Sequence, residues 1–334
     1  MQAMQLDAPR SALRRVESPV PCPGPGELLI EVSACGVCRT DLHILDGDIA
    51  GRLPVIPGHE VVGRIVEAAD DVTGFSIGQR VGVPWLGRTC GRCRYCRAGA
   101  ENLCDEPSFT GFTRDGGFAS HIVADARFCF AIPDIFGDVE AAPLLCAGLI
   151  GYRSYRIAGD APALGLYGFG AAAHILAQIA VADGRRVHAF TKAGDPGGQA
   201  FARELGCAWA GASTEEPPEP LDGAIVFAPV GPLLPVALRA SAKGARIISA
   251  GIHMSDIPAF AYAQLWGERS IHSVANLTRA DGNAFFAAAA AVPVRTVTTA
   301  FPLGQANAAL ERVREGKLNG AAVLVPDSSC GDCP

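Results

Sequence analysis

Apolar and polar positions follow two rhythms along the chain. Over the first 150 residues, short β-branched runs alternate with turn residues. Leu28-Leu29-Ile30-Glu31-Val32 and Val61-Val62-Gly63-Arg64-Ile65-Val66-Glu67 predict strands there. The glycine, proline and cysteine between them predict long loops on a compact, mostly β domain. Near Gly151 the rhythm changes to apolar strands alternating with alanine-rich, helix-length segments. Leu164-Gly165-Leu166-Tyr167 predicts a strand, followed by a helix through Ala171–Ala182. Arg186–Thr191 predicts another, followed by a helix near Gln199–Leu205. Further strands are expected at Gly223–Ala228, Arg246–Ala250 and Ser270–Ala275. Such alternation predicts a parallel, doubly wound α/β sheet with right-handed crossovers.

After Asn276 the pattern changes again. An alanine-rich helix (Asn283–Ala291), Phe301-Pro302-Leu303, a helix over Gln305–Glu315 and a strand over Ala321–Val325 are expected. This tail is expected to return to the first domain. The predicted organisation is therefore a domain of residues 1–150 completed by 276–334, around an inserted domain of residues 151–275. The run Glu215-Glu216-Pro217-Pro218-Glu219-Pro220 reads as a solvated surface loop.

Composition narrows the function classes. A chain of 334 residues suggests two domains at about 150 residues each. Apolar residues at 49% and charged residues at 19% describe a globular protein. With 28 Lys+Arg against 34 Asp+Glu the net charge is −6, which argues against a nucleic-acid partner, and no basic run offers a local exception. The stretch Ala163–Ala182 is apolar and about as long as a membrane span. A buried strand and its helix explain it better, so no membrane partner is expected. The start, Met1-Gln2-Ala3-Met4-Gln5-Leu6-Asp7, has neither the basic nor the apolar region of a signal peptide, which predicts a cytoplasmic protein.

Twelve cysteines are many for such a chain, and in a reducing compartment clustered thiols bind metal or do chemistry. Cys90, Cys93, Cys96 and Cys104 form C-x2-C-x2-C-x7-C. Four thiolates this close can close a tetrahedral shell, and closed four-cysteine shells are structural zinc sites. Surface thiols or two disulfides are the bland alternatives, and an iron–sulfur cluster is a third. Three more strings stand out: Gly36-Val37-Cys38-Arg39-Thr40-Asp41-Leu42-His43, Pro57-Gly58-His59-Glu60 and Pro143-Leu144-Leu145-Cys146-Ala147-Gly148. Taken singly, Cys38 and Cys146 could be small core residues.

The glycine loop Gly168-Phe169-Gly170-Ala171-Ala172-Ala173 fits G-x-G-x-x-G/A, after a predicted strand and before a helix. The first glycine makes the turn, the second admits a pyrophosphate, and the small third residue lets helix and strand pack. Gly168, Gly170 and Ala171 are thus candidate cofactor contacts. NAD sites carry an acid at the end of the second strand. Here the strand ends Phe190-Thr191-Lys192, with Asp183 too early and Asp195 too late. A hydroxyl and a cation suit a 2′-phosphate, so Thr191 and Lys192 favour NADP(H) over NAD(H).

Together these motifs resemble the zinc-dependent alcohol dehydrogenases of the medium-chain dehydrogenase/reductase family, in family order and over essentially the whole chain. The resemblance implies a mostly β GroES-like catalytic domain plus a Rossmann doubly wound parallel-sheet cofactor domain. It implies that Cys38, His59 and Cys146 ligate a catalytic zinc, with Glu60 the adjacent carboxylate that can approach it. Two cysteines, a histidine and one open position are the established alcohol dehydrogenase set. With the four-cysteine lobe this makes two zinc ions per chain. It also implies a proton relay through Thr40 and the cofactor ribose to His43, a residue type that titrates near neutrality, and Arg39 near the pyrophosphate. One departure is Ile150, where the family commonly has threonine beside the nicotinamide.

The function expected is hydride transfer between a primary alcohol or aldehyde and a nicotinamide cofactor, by a homodimer or homotetramer. Trp85, Leu86 and Phe109 are candidate apolar walls for a small-molecule substrate. The alternatives are a zinc-free quinone-reductase-like oxidoreductase, which would lack these ligands, and a non-catalytic NADP(H)-binding sensor. Cys22, Cys35, Cys129 and Cys207 have no partner by spacing, and Cys330 and Cys333 form a terminal C-x2-C without a redox context.

Overall fold

The computed structural model describes residues 1–327 apart from Pro293, Lys317 and Asn319. Cys330 and Cys333 lie outside the described residues. The chain forms two compact units. One comprises Met1–Cys146, Thr278–Asn283 and Arg295–Pro334, and the other Ala147–Leu277 and Ala284–Val294. The division thus falls directly after Cys146, and the expected return segment 276–334 is shared. Residues 284–294 pack with the second unit because Phe285 is buried there against Gly148, where a Cβ would lie 2.3 Å from its ring.

The first unit is built on a seven-stranded sheet ordered Thr298–Pro302, Ala321–Val325, Glu27–Val37, Glu60–Ala68, Arg80–Val83 and Phe130–Ala131, with His121–Asp125 also paired to Glu27–Val37. All pairings are antiparallel except the first. The strands are longer than their apolar runs suggest, because Glu27–Val37 is paired with three neighbours. Its alternate residues Leu28, Ile30 and Val32 enter a core with Val61, Ile65, Val81, Phe118 and Leu324. The terminal strand pairs Leu324 with Cys35 and Ala322 with Val37, so the tail braces the strand end that delivers Cys38.

The second unit has a six-stranded, wholly parallel sheet ordered Trp209–Ala212, Arg186–Thr191, Ala163–Tyr167, Leu221–Val226, Ser241–Ser249 and Ser270–Ser273. In chain order this is 3-2-1-4-5-6, the doubly wound arrangement whose ligand crevice lies between strands 1 and 4 at their carboxyl ends. Every residue of Ala163–Tyr167 is buried, which explains its continuous apolar run. Trp209–Ala212 was not expected as a strand, being short and lacking β-branched residues. Among the described residues, no helix is long and apolar enough to cross a membrane.

Candidate metal centre and dinucleotide loop

The strand Glu27–Val37 ends at Val37, and Cys38 caps the helix Arg39–Asp46. The neighbouring strand begins with Glu60 and pairs Gly36 with Glu60. One register therefore brings Cys38, His59 and Glu60 to the same end of the sheet. Gly36 is needed there for space: a Cβ would sit 1.8 Å from the Glu60 carboxylate. Cys146 follows the turn Ala142–Leu145, whose Leu145 is fully buried against Gly82.

The result is a cluster of Cys38, His59, Glu60 and Cys146 whose ligand atoms all lie within 4.8 Å of one another. The two sulfurs are 3.7 Å apart. Hydrogen bonds with Cys146 and His59 draw the Cys38 thiol well below its ordinary pKa despite burial, while the hydrogen bond with Cys38 and burial push Cys146 up. Burial raises the Glu60 carboxyl well above the usual range, helped by Cys38. For His59, burial opposes the charged ring, but Asp41 and Cys38 outweigh it and raise its pKa well above normal. Two half-buried thiols with a buried imidazole and carboxylate are the donor chemistry of a zinc site.

Asp41 was not among the expected site residues, yet it organises the cluster. Fully buried, it accepts the Cys38 N–H at 2.8 Å and the Gly58 N–H at 3.3 Å. Its Oδ1 also lies 3.3 Å from His59 Nδ1, at ion-pair distance though off the hydrogen-bond angle. With Nδ1 facing Asp41, Nε2 is the nitrogen available to a metal. The signal was in the sequence: an acid three residues after a helix cap has the spacing of a capping box.

Thr40 is buried, its hydroxyl 3.6 Å from Cys38 Sγ. His43 stands one turn on, with Nδ1 2.8 Å from Asp48 Oδ2, and Arg39 is exposed at the first position of the helix. Of the expected apolar walls, Leu86 is core. Trp85 stacks on Phe109 (5.0 Å) and on Phe112 (5.6 Å), which touch each other, and meets His59 edge-on at 5.0 Å. Phe112 was not anticipated, because a lone aromatic in a glycine-rich loop carries no periodicity.

The second cluster is Cys90, Cys93, Cys96 and Cys104. Backbone N–H groups point at its sulfurs: Cys93 to Cys90 (3.4 Å), Cys96 to Cys93 (3.5 Å), and Cys90 and Glu106 to Cys104 (both 3.3 Å). Such donors stabilise thiolates, and those of Cys96 and Asp105 lower Cys93 to about 6. Burial raises Cys104 to about 12. The lobe is tied down by Glu101, which accepts from the Arg279 backbone (3.0 Å) and guanidinium (3.1 Å).

In the second unit, Gly168 adopts φ +86°, and a Cβ there would lie 2.7 Å from the backbone nitrogen of Ala228. The turn from strand 1 into the helix Ala171–Ala182, packed against the residue Ala228 beyond strand 4, therefore requires glycine. Gly170 caps the helix Ala171–Ala182 without a side-chain hydrogen bond, and its missing Cβ faces open space. That opening, at an uncapped helix N-terminus, is a cradle a side chain would fill and a phosphate can occupy. At the end of strand 2 the two expected contacts separate. Thr191 is buried, donating to the Gly211 and Lys192 carbonyls and accepting from Gln199. Lys192 is exposed. Asp195 is spent capping the next helix through the Gly198 N–H at 2.9 Å.

Comparison with known proteins agrees with both units. The alcohol dehydrogenase GroES-like domain family matches residues 24–134. A probable alcohol dehydrogenase AdhA of Mycobacterium tuberculosis (strain CDC 1551 / Oshkosh) is 47% identical over 338 residues, covering 97% of each chain. An alcohol dehydrogenase of Geobacillus stearothermophilus is 34% identical over 97% of this chain and 98% of its own. The cobalt- and zinc-bound thermostable alcohol dehydrogenase of Pyrobaculum aerophilum superposes with a TM-score of 0.88 at 25% identity, over 98% of this chain and 99% of that one. With such similarity along its full length, and both cysteine clusters and the glycine loop assembled, this chain belongs to the zinc-dependent alcohol dehydrogenases of the medium-chain dehydrogenase/reductase family.

Proposed function

We propose that the chain interconverts a primary alcohol and its aldehyde with a nicotinamide coenzyme, NADP(H) in preference to NAD(H), and carries two zinc ions. The observation that carries this reading is the group of Cys38, His59, Glu60 and Cys146, whose ligand atoms lie within 4.8 Å of one another. Cys38, His59 and Cys146 would hold a catalytic zinc, with Glu60 as spare donor. Cys90, Cys93, Cys96 and Cys104 would hold a structural one. When bound, the metal supplies Lewis-acid polarisation of the substrate oxygen and the nicotinamide gives or takes the hydride.

The residues of the chain do the positioning and the proton work. Asp41 fixes the His59 ring and the loop that carries Cys38. Thr40 and His43, at i and i+3 on one helix, share a face. The Thr40 hydroxyl would take the alcohol's proton, and His43 would pass it to water. Gly168, Gly170 and Ala171 would seat the pyrophosphate with Arg39 as its cation, and exposed Lys192 would meet a 2′-phosphate. Trp85, Phe109 and Phe112 support an apolar substrate.

A homodimer or homotetramer in a reducing cytoplasm completes the reading. The ten described cysteines are free thiols. Strand Ser270–Ser273 is a sheet edge, and Tyr262 and Trp266 nearby are 68% and 66% exposed, a combination that suits contact with a second copy.

The test is metal analysis with a turnover panel of ethanol to octanol, benzyl alcohol and the matching aldehydes, run with both coenzymes. Two zincs per chain, NADP(H)-linked turnover, and loss of turnover in Cys38→Ser are expected. Full activity in a Cys38→Ser protein lacking the second zinc overturns the reading. In Lys192→Ala the preference for NADP(H) should shrink about tenfold, the worth of one lost charge contact.

A further inference from the structure

We propose that Glu101 and Arg279 are positioning residues of the four-cysteine lobe: their contact holds the turn that delivers Cys104, and so controls how tightly the lobe keeps a metal ion. The inference rests on the reading of Cys90, Cys93, Cys96 and Cys104 as a zinc site given above. The four ligands are not held alike. Cys90, Cys93 and Cys96 follow one another closely, and N–H groups of the run point back at its own sulfurs, Cys93 to Cys90 and Cys96 to Cys93. Local turns therefore place these three.

Cys104 stands apart, at the end of the turn Glu101–Leu103, where its N–H donates to the Glu101 carbonyl at 3.1 Å. That turn has little apolar anchorage. Its one apolar side chain, Leu103, is 45% exposed, while the polar Glu101 and Asn102 are buried. A turn with its polar side chains inward is placed by their hydrogen-bond partners rather than by hydrophobic burial.

For Glu101 that partner lies 178 residues further along the chain. One oxygen, Oε1, accepts both the Arg279 backbone N–H at 3.0 Å and its Nε–H at 3.1 Å. Arg279 opens the helix Arg279–Ala291, whose first N–H groups favour an anion. Thr278 and Asp281 fix this first turn, the Thr278 hydroxyl donating to Asp281 at 2.7 Å and accepting its N–H at 3.1 Å. The guanidinium also lies over the buried Phe128 ring, 5.3 Å from its centre. Burial opposes the Glu101 charge, but the bonds from Arg279 outweigh it and hold the carboxyl below its usual range. Without Arg279 a buried carboxylate is left short of partners, and the turn must shift toward water, taking Cys104 with it. A closed shell that loses its hold on one ligand opens to exchange.

The test follows zinc loss to excess chelator, with a zinc-binding dye reporting the released metal. Cys38→Ser serves as the parent protein, so that the lobe holds the only zinc expected. Added to it, Arg279→Ala should speed zinc loss about tenfold, the low end of what a hydrogen bond to a charged group is worth. Glu101→Ala removes the acceptor of both bonds and should speed it at least as much. Glu101→Gln keeps an acceptor oxygen and should fall between the parent and Glu101→Ala. Arg186→Ala breaks an ion pair of similar length, to Glu219 in the second unit, and should leave the rate within about twofold of the parent. Unchanged zinc loss in both Arg279→Ala and Glu101→Ala overturns the proposal. An equal acceleration in Arg186→Ala does so too, since it marks a general loosening. A Cys38→Ser parent that holds no zinc overturns the structural-zinc reading itself.

Discussion

Replacing Asp41 by alanine should both destabilise the first unit and weaken its catalytic metal site. The carboxylate is fully buried and accepts two backbone N–H groups, from Cys38 and Gly58, while facing the His59 ring. Each buried N–H left without a partner costs about 1–3 kcal/mol, so the two together cost roughly 2–6 kcal/mol. The outer-shell effect is separate: a ligating histidine released from its orienting carboxylate typically loses 10- to 100-fold in metal affinity, about 1.4–2.8 kcal/mol. Asparagine keeps one acceptor oxygen but turns an NH2 toward a donor, so Asp41→Asn should fall between. Denaturant unfolding of the metal-free protein reads the first effect, and chelator competition for zinc reads the second. A zinc affinity within about twofold of wild type, with stability within about 0.5 kcal/mol, would refute the reasoning. Lost stability with unchanged affinity would make Asp41 a loop fastener only.

Three further outcomes are expected. Gly170→Val fills space that has no neighbour within 4 Å at an extended φ of −107°, so stability should change by less than about 1 kcal/mol. Coenzyme affinity, measured by fluorescence titration, should still fall at least about tenfold, since the pyrophosphate loses its approach. Cys93→Ser should leave one zinc per chain by metal analysis and lower the melting temperature, because the closed shell loses a ligand. His174 is buried with Nε2 unpartnered, and burial lowers its pKa. The unfolded chain therefore binds a proton the folded one refuses, and stability falls as pH drops below about 6.5, toward the lowered folded value. The urea midpoint should fall between pH 7.5 and 5.5 in wild type, and fall less in His174→Leu. Equal slopes would exclude His174 as the cause.

Much of the site was legible because its chemistry is local. The four-cysteine lobe spans fifteen residues, and its sulfurs meet through short turns and neighbouring N–H groups. Gly168 and Gly170 were legible for a similar reason, since a strand, a tight turn and a helix are adjacent in the chain. Thr191 shows the limit. Its position at a strand end was visible, but the direction of its hydroxyl depends on Gly211 of the next strand and Gln199 of the next helix.

Sequence alone thus determined the residue types that could bind metal, the loop that could admit a pyrophosphate, and the two rhythms that separate a β unit from a doubly wound one. Tertiary structure decided what depends on contacts between distant segments. The pairing of Gly36 with Glu60 set Cys38 beside His59, and the turn before Cys146 brought in a thiol 108 residues away. Burial also set Asp41, outwardly a helix-capping acid, against the His59 ring. Spacing fixes which atoms are available. Only close packing, which excludes water and holds each polar group to one partner, fixes what those atoms do.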